Sequence, residues 1–271
     1  MSFSIAGKTA IITGAANGVG LAIARHFVDQ GANVMCADMD EARLISELGE
    51  LAKAEDARVS YFAGDLREKL TVANLLSATM DEFDAVDILV NASRQVAPTV
   101  DPLCPEDDNV AALIEQNLMT SLRMTQQVAK WMIKNADDSV DDEEPIGSII
   151  NLSSVAARMA QPGLLAFSVS CAAVEQMTRS MAVSLAPHRI RVNAVAFGSV
   201  LSASMQDLLS EEPEYREKIQ AGTPLGRIAP PSDVAETVQY LASQGSNFVT
   251  GQVLTVDGGR SVLDPVSAPT H

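Results

Sequence analysis

Short apolar runs alternate with segments of helical periodicity along the whole chain, and this alternation restricts the possible folds more than any other feature. Seven runs are predicted to be strands: 8–13, 33–38, 59–63, 87–91, 147–152, 191–196 and 252–256. Helices are predicted at 18–30, 40–55, 71–82, about 109–135, 166–186 and 232–243. Because the strands are almost continuously apolar, helices should cover both faces of the sheet. The pattern therefore predicts an α/β fold with a doubly wound parallel sheet of seven strands.

The size of the chain suits one domain. It has 271 residues, 47% of them hydrophobic, which is enough to bury one sizeable core without a second domain. We expect a single domain over 1–271, with a looser helical excursion at about 202–221. No apolar run is long enough to cross a bilayer, and the N-terminus lacks the features of a signal peptide. These features predict a cytoplasmic protein that does not bind membranes.

Charge and cysteine content exclude some classes of partner. The formal net charge of −16 argues against general electrostatic binding of nucleic acid or anionic membranes. Local basic positions such as Arg94 remain able to meet an anionic substrate. The three cysteines, Cys36, Cys104 and Cys171, lack metal-ligand spacing, so no metal site is predicted. An acidic stretch at 135–145 is expected to be a solvated loop, and its role as plain surface or partner-docking segment stays open.

A glycine-rich turn, TGAANGVG at 13–20, follows the first predicted strand. Glycines let the backbone turn tightly and approach a pyrophosphate, while the next helix offers its unpaired N–H groups. Asp38, at the end of the second strand, can accept both ribose hydroxyls of NAD and would repel a 2′-phosphate. Neither Arg nor Lys lies in the turn or directly after Asp38, so NAD is favoured over NADP. The alternative is a glycine turn kept only for packing of helix on sheet.

Further motifs make the chain similar to the short-chain dehydrogenase/reductase family. They are NAS at 91–93, NLSS at 151–154, RVNAVAFG at 191–198, PLGR at 224–227, TGQ at 250–252 and DGG at 257–259. The resemblance covers about residues 5–260 and implies a Rossmann-like, dinucleotide-binding domain. The cofactor-binding residues that it and the glycine turn imply are Gly14, Asn17, Gly18, Val19, Gly20, Asp38, Asp65, Leu66, Asn91, Ala92, Gly198, Val200 and Ser202.

The resemblance also implies that the acid/base pair of the family is missing. In the family a Tyr and a Lys four residues apart on one helix do this work, and the register from Ser154 places Phe167 and Cys171 there. Phe167 has no proton to give, and Cys171 is too short to replace a lysine. Ser154, which would steady a substrate oxygen, and Asn117, which would help to hold a lysine-linked water, are retained. A capping role for Ser154 and a structural role for Asn117 are the alternatives.

Two further positions depart from the family pattern. Ser93 replaces the last Gly of an Asn-Ala-Gly turn, and Phe197 replaces the usual Pro of the sixth-strand motif. Together with Phe167 and Cys171, they place four substitutions around one pocket. A double change, Phe167→Tyr with Cys171→Lys, is expected to recover turnover if Ser154 and the cofactor-binding residues are correctly placed.

Three functions remain open at this stage, and whether the chain is an enzyme is left undecided. The first is an NAD-binding, catalytically deficient member that serves as a non-catalytic or regulatory subunit of a hetero-oligomeric dehydrogenase, beside an active paralogue. The second is an active NAD-dependent oxidoreductase on an alcohol, ketone or hydroxyacyl thioester, using an unconventional proton donor such as Cys171, Cys104 or Tyr215. The third is a non-redox enzyme on the same scaffold that uses Cys171 or Arg94 near a carbonyl.

The family commonly assembles through its long helices, so the resemblance implies a homo- or hetero-oligomer. Apolar stripes in 110–132 and 166–185 suit such an interface. We expect this face to be exposed in the isolated chain. Its residues are Leu113, Gln116, Asn117, Thr120, Met124, Val128, Val174, Met177, Met181 and Leu185.

Overall fold

The computed structural model describes residues 3–54, 57–136, 144–264 and 266. Most of the acidic stretch, residues 137–143, lies outside the described residues. The strands form one parallel sheet in the order β3-β2-β1-β4-β5-β6-β7. They are β1 Thr9–Thr13, β2 Asn33–Asp38, β3 Val59–Ala63, β4 Ile88–Asn91, β5 Gly147–Ser154, β6 Ile190–Phe197 and β7 Val253–Val256. The predicted seven-stranded, doubly wound sheet is confirmed.

Helices connect consecutive strands. They are α1 Gly18–Asp29, α2 Glu41–Leu48, α3 Lys69–Phe83, α4 Asn109–Leu113, α5 Thr120–Lys134, α6 Leu165–Leu185, α7 Ala203–Glu211, α8 Glu214–Ala221 and α9 Pro231–Ala242. A π-helical turn, Ile114–Met119, joins α4 to α5. Short 3₁₀ turns lie at Leu51–Lys53, Val155–Ala157, Ala186–His188, Gln244–Ser246 and Arg260–Val262. In the described part of the chain, no helix is both long and apolar enough to span a membrane.

Three predicted helical segments differ from the structure. The helix predicted at about 109–135 is divided by the π-helical turn between α4 and α5. The helix predicted at 40–55 ends at Leu48, because Gly49 disfavours further helix and Leu51 is 53% exposed, so nothing buries a continued apolar face. The excursion at 202–221 is two helices, and Pro213 lies at the junction, where it caps α8. Proline cannot continue a helix from the preceding turn because it lacks the N–H donor.

The core lies on both faces of the sheet. On one face, Phe27 of α1 and Val238 of α9 pack on the strands, and both are fully buried. On the other face, Leu75 of α3 and Val128 of α5 do the same. This arrangement explains the continuous apolar character of the strands, since each strand is covered on two sides.

The expectation of an exposed apolar face on the long helices is wrong for most of its residues. The residues buried inside the chain are Leu113, Asn117, Thr120, Met124, Val128, Val174, Met177 and Leu185, whereas Gln116 and Met181 are half-buried. The physical reason is that α5 and α6 turn this stripe inward. Met124, Val128 and Leu185 belong to the core cluster that also contains Ile149 and Val192 of the strands.

Candidate functional site

A cleft of about 590 Å³ opens at the carboxyl ends of β1, β2 and β4. The chain leaves β1 toward β2 on one side, while β4 lies on the other, so the cleft is at the point where the strand order reverses. Ligands of doubly wound sheets bind at such points. The implied cofactor residues that line the cleft are Gly14, Asn17, Gly18, Val19, Gly20, Asp38, Asp65, Leu66, Ala92 and Ser202.

The glycine turn is shaped for close approach of another group. Gly14 has φ +66°, and a Cβ there would lie 2.7 Å from the Cα of Ser93, so a side chain is excluded. Helix α1 begins at Gly18, its N-cap residue Asn17 makes no side-chain capping bond, and its first turn carries no acidic residue. Uncapped amides and the positive end of the helix dipole suit a phosphate group. These residues fit the pyrophosphate of a dinucleotide.

Asp38 is held at the mouth of the cleft by the backbone. Its Oδ2 accepts a hydrogen bond from the N–H of Ala16 at 3.0 Å, and its Oδ1 accepts one from the N–H of Asp40 at 3.1 Å. The bond from Ala16 ties the carboxylate to the glycine turn. Both oxygens keep further lone pairs, so the carboxylate can accept hydrogen bonds from a diol.

Arg67 is a cation of the cleft that the sequence analysis did not identify. Its guanidinium pairs with the carboxylate of Asp65 in a two-pronged geometry, with Nη2 and Oδ2 2.6 Å apart. The hydrogen bonds from Arg67 hold the pKa of Asp65 below its ordinary value. Arg67 follows the third strand, away in sequence from the glycine turn and from Asp38, where basic residues are absent. The spacing of Asp65 and Arg67 after β3 could have revealed the pair.

Asn91, Gly198 and Val200 are predicted cofactor residues that do not line the cleft. Asn91 is buried, and its Nδ2 donates to the Oδ1 of Asn151 at 2.8 Å and to the Oγ1 of Thr125 at 3.2 Å. Gly198 donates its N–H to the Val256 carbonyl, and Val200 is buried in a bridge to Ala229. Their contacts connect the strand ends to neighbouring elements.

Phe167 and Cys171 lie on successive turns of α6. Both are buried in a small apolar cluster with Leu113 and Ala166. Burial raises the pKa of the Cys171 thiol to about 11, although the charge of Arg94 opposes the shift. Such a thiol is almost wholly protonated at neutral pH and is a poor base or nucleophile.

Ser154 and Asn117 both make structural hydrogen bonds. Ser154 ends β5, and its Oγ accepts the N–H of Ala156 at 3.2 Å as the cap of a 3₁₀ turn. Asn117 lies in the π-helical turn and holds Gln95 on both sides: its Oδ1 accepts the Gln95 N–H at 2.8 Å, and its Nδ2 donates to the Gln95 carbonyl at 3.0 Å. The same Nδ2 lies 3.0 Å from the Oγ of Ser170. Asn117 therefore fixes the loop after β4.

Arg94 stands on that fixed loop and lines the cleft together with Gln95 and Gln116, and we refer to this part as the inner end of the cleft. Its Cζ lies 4.2 Å from the ring centroid of Phe197 and 5.7 Å from that of Phe167. Its Nη1 donates to the carbonyl of Ser153 at 3.2 Å. Burial lowers the pKa of Arg94, yet a guanidinium stays protonated at neutral pH. A cation thus lies beside Phe167 and Cys171, presented from the β4 loop and not from α6.

Comparisons with known proteins give the family. A family model described as enoyl-(acyl carrier protein) reductase matches residues 14–261. The chain is 34% identical over 253 residues to a 3-oxoacyl-(acyl-carrier-protein) reductase of Thermotoga maritima, covering 93% of this chain and 97% of that protein. It is 33% identical over 260 residues to (2S)-((R)-hydroxy(phenyl)methyl)succinyl-CoA dehydrogenase subunit BbsD of Thauera aromatica, covering 96% and 98%.

A solved short-chain type dehydrogenase/reductase from Mycobacterium marinum superposes with a TM-score of 0.80 at 26% identity, covering 95% of this chain and 96% of that one. The chain belongs to the short-chain dehydrogenase/reductase family. Members of this family bind nicotinamide cofactors.

Two other side chains of this short-chain dehydrogenase/reductase, Tyr215 and Cys104, carry a proton that could be donated. Tyr215 is 38% exposed on α8, where the Nζ of Lys218 lies 5.3 Å from its ring centroid. Cys104 is exposed, with its Sγ 3.5 Å from the Oε2 of Glu106. Neither residue lines the cleft. Within the described ranges, no group of three or more His, Cys, Asp or Glu side chains could hold a metal ion.

Proposed function

We propose that this chain is an NAD-binding, catalytically deficient short-chain dehydrogenase/reductase of the cytoplasm. It acts as a non-catalytic or regulatory subunit of a hetero-oligomeric dehydrogenase. The observation that carries the proposal is the set of side chains packed beside Arg94. Phe167 and Cys171 are buried on α6, where the resemblance expects Tyr and Lys, and neither lines the cleft. The guanidinium of Arg94 lies against the ring of Phe197.

Proton transfer is the function that these side chains do not support. A bound nicotinamide supplies a hydride acceptor or donor, and the matching proton must come from the protein. Phe167 cannot give one, the buried thiol of Cys171 has a pKa of about 11, and Arg94 stays protonated. The Oγ of Ser154 caps the 3₁₀ turn and has no activating base among its recorded hydrogen-bond partners in the described structure. Losing a positioned acid/base removes a factor of roughly 10² to 10⁴ in rate.

The alternative is an active oxidoreductase with an unconventional proton donor. The names of two relatives describe a reductase and a dehydrogenase subunit, which agrees with the family and does not distinguish the two interpretations. The positions of Tyr215 and Cys104 outside the cleft oppose the alternative, as does the protonated state of the Cys171 thiol. Steady-state assays with NAD(H) on secondary alcohols, ketones and hydroxyacyl thioesters distinguish the two. Turnover well above background, lost in Cys171→Ala or Tyr215→Phe, would establish the alternative.

The choice of NAD rests on Asp38. In calorimetric titrations we expect NAD to saturate the protein and NADP to bind more weakly, because the carboxylate repels a 2′-phosphate. Asp38→Asn should weaken NAD binding about tenfold or more, since a charged acceptor of hydrogen bonds contributes roughly 1.5–3 kcal/mol. The difference in affinity between NAD and NADP should be smaller in that variant.

Glu41→Gln is the matched control for Asp38→Asn, because it removes one acidic charge from the neighbouring exposed helix start. It should leave NAD binding unchanged. Tighter binding of NADP than of NAD by the unmodified protein would contradict the assignment to Asp38. Failure to saturate at about millimolar NAD, a weak affinity for a cofactor site, would contradict cofactor binding itself.

The subunit role has two supports. One relative is by name a subunit of a dehydrogenase. In addition, α6 carries exposed apolar side chains, Leu165, Val169 and the 78% exposed Val183. Leu165 and Val169 lie one turn apart near the start of α6, and Val183 lies near its end, so a partner that covers this helix would bury all three. The partner in this proposal is either a second copy or an active family member with an intact Tyr and Lys.

We expect the purified protein to be a dimer or tetramer by light scattering at micromolar concentration. Val183→Glu should shift it toward the monomer, because burying an unpaired carboxylate at an interface is unfavourable. Leu70→Glu is the control, since Leu70 is 79% exposed on α3, away from this face. The subunit role would be contradicted if the protein were a monomer and remained one when co-expressed with an active family member.

A further inference from the structure

The guanidinium of Arg94 has no anionic partner in the described part of the chain. The ion pairs there involve other cations, and no carboxylate lies within 4.0 Å of a nitrogen of Arg94. One hydrogen bond, to the Ser153 carbonyl, is recorded for the five N–H groups of this side chain. The chain has 35 acidic residues against 19 Lys and Arg, so a lack of available carboxylates does not explain this.

Aromatic rings lie against the face of the Arg94 guanidinium. Polar contacts are therefore made at its edge, where its N–H groups point. The ring of Phe197 is in cation–π range at 4.2 Å, and that of Phe167 is at 5.7 Å. Both rings are buried. An Arg that stacks on an aromatic face still presents its planar fork of donors, which matches the two oxygens of a carboxylate.

The loop that carries Arg94 is fixed before any ligand arrives. Asn117 bonds both backbone polar groups of the next residue, Gln95, and the Nε2 of Gln116 lies 3.3 Å from the Oγ of the preceding Ser93. Because Ser93 and Gln95, on either side of Arg94, are already held, a ligand that binds Arg94 loses less free energy to ordering of the loop. Gln95 and Gln116 also line the cleft beside Arg94 and offer amide groups to a polar ligand.

We propose that the inner end of the cleft binds the carboxylate group of a small organic acid, with Arg94 as the recognising residue. The proposal goes beyond the proposed function, because it requires neither a dinucleotide nor turnover. The uncapped amides that suit a phosphate group, which we call the phosphate cradle, lie at the start of α1. The Arg94 side chain instead contacts Ser153 of β5 and Phe197 of β6. The proposal assigns the anion at Arg94 to a group other than the pyrophosphate of the cofactor, and competition with ADP tests this assignment.

The test is calorimetry on the unmodified protein without nucleotide, using acetate, succinate and benzoate. Acetamide, succinamide and benzamide are the matched neutral probes, and inorganic phosphate is the competing anion. We expect at least one carboxylate to bind with one-to-one stoichiometry and to raise the unfolding temperature, while its amide does neither. Absence of binding by all three carboxylates at about 100 mM, a concentration that detects even weak sites, would overturn the proposal.

Variants then locate the site. Arg94→Gln should weaken carboxylate binding about 10- to 100-fold, as expected for loss of a charged hydrogen-bonding partner, and Arg94→Lys should give an intermediate loss. Arg67→Gln is the control, because it removes a cation of the same cleft that Asp65 already neutralises. Equal weakening by Arg67→Gln, or binding of phosphate in place of carboxylates, would overturn the assignment. Competition of the carboxylate with ADP would place the anion in the phosphate cradle and overturn it as well.

Discussion

At pH 8 we expect Cys104 to react rapidly with a small disulfide reagent, and Cys36 and Cys171 to react at least about 100-fold more slowly. Cys104 is exposed, whereas the other two thiols are buried. Burial raises the pKa of Cys36 to about 12 and that of Cys171 to about 11. Since the thiolate is the reacting species, roughly one molecule in 10³ is reactive at Cys171 at this pH, before access is considered.

The measurement is the time course of thiol release in the native protein, repeated in denaturant. One rapid equivalent per chain should appear under native conditions, and three should appear after unfolding. Cys104→Ser should remove the rapid phase, while Cys171→Ala should leave it unchanged. A rapid phase lost with Cys171→Ala would instead reveal an activated thiol and support the oxidoreductase alternative.

The same pKa shifts give the stability a pH dependence. Both thiols have folded-state pKa values raised above the ordinary 9.0, so their contribution is fully present below about pH 9. Above that pH the unfolded chain loses protons that the folded chain keeps, and this contribution declines between about pH 9 and pH 12. In Cys36→Ala the alkaline decline of the unfolding free energy should be smaller than in the unmodified protein.

The fold could be predicted from the sequence because its signals are local. Alternating apolar runs and helical periods predicted all seven strands and the doubly wound parallel sheet, whereas the order of the strands was not predicted. The end of α2 could not be predicted by periodicity, since it depends on whether Leu51 finds a buried surface. Periodicity also could not show which surface covers the apolar stripe of the long helices, which is why the prediction that this stripe is exposed was wrong for most of its residues. An apolar stripe shows that a face is covered, and whether sheet or partner covers it is decided by tertiary packing.

The candidate site could be predicted where a motif determines the backbone conformation, as at the glycine turn, and where a residue ends a strand, as Asp38 does. The sequence placed the substitutions at Phe167, Cys171 and Phe197 around one pocket, but it did not show that Arg94 packs against the two rings. Arg94 and Phe197 are 103 positions apart in the chain, and their contact depends on the parallel alignment of β4, β5 and β6. The bonds of Asn117 to Gln95 were not predictable for a similar reason, because they depend on the path of the loop after β4.

The unmodified protein is expected to show NAD(H)-dependent turnover at background, and restoration should need three changes. From the sequence alone, Phe167→Tyr with Cys171→Lys should suffice. The structure places the Arg94 cation 5.7 Å from the ring of Phe167 and close enough to Cys171 to influence its pKa. A lysine introduced at 171 would therefore meet a like charge, which lowers its own pKa and turns it away from the phenol. The double variant should recover little.

Adding Arg94→Ala to that pair removes the competing cation and opens the space beside both rings. The triple variant should exceed the double variant by about 10² or more, because a phenol and its activating cation work as a unit. The control is the same triple variant with Cys171→Met in place of Cys171→Lys, which should stay at background. The assay covers secondary alcohols, ketones and hydroxyacyl thioesters at neutral pH. Equal activity of the double and triple variants would show that Arg94 does not obstruct the pocket, and turnover by the unmodified chain would contradict catalytic deficiency itself.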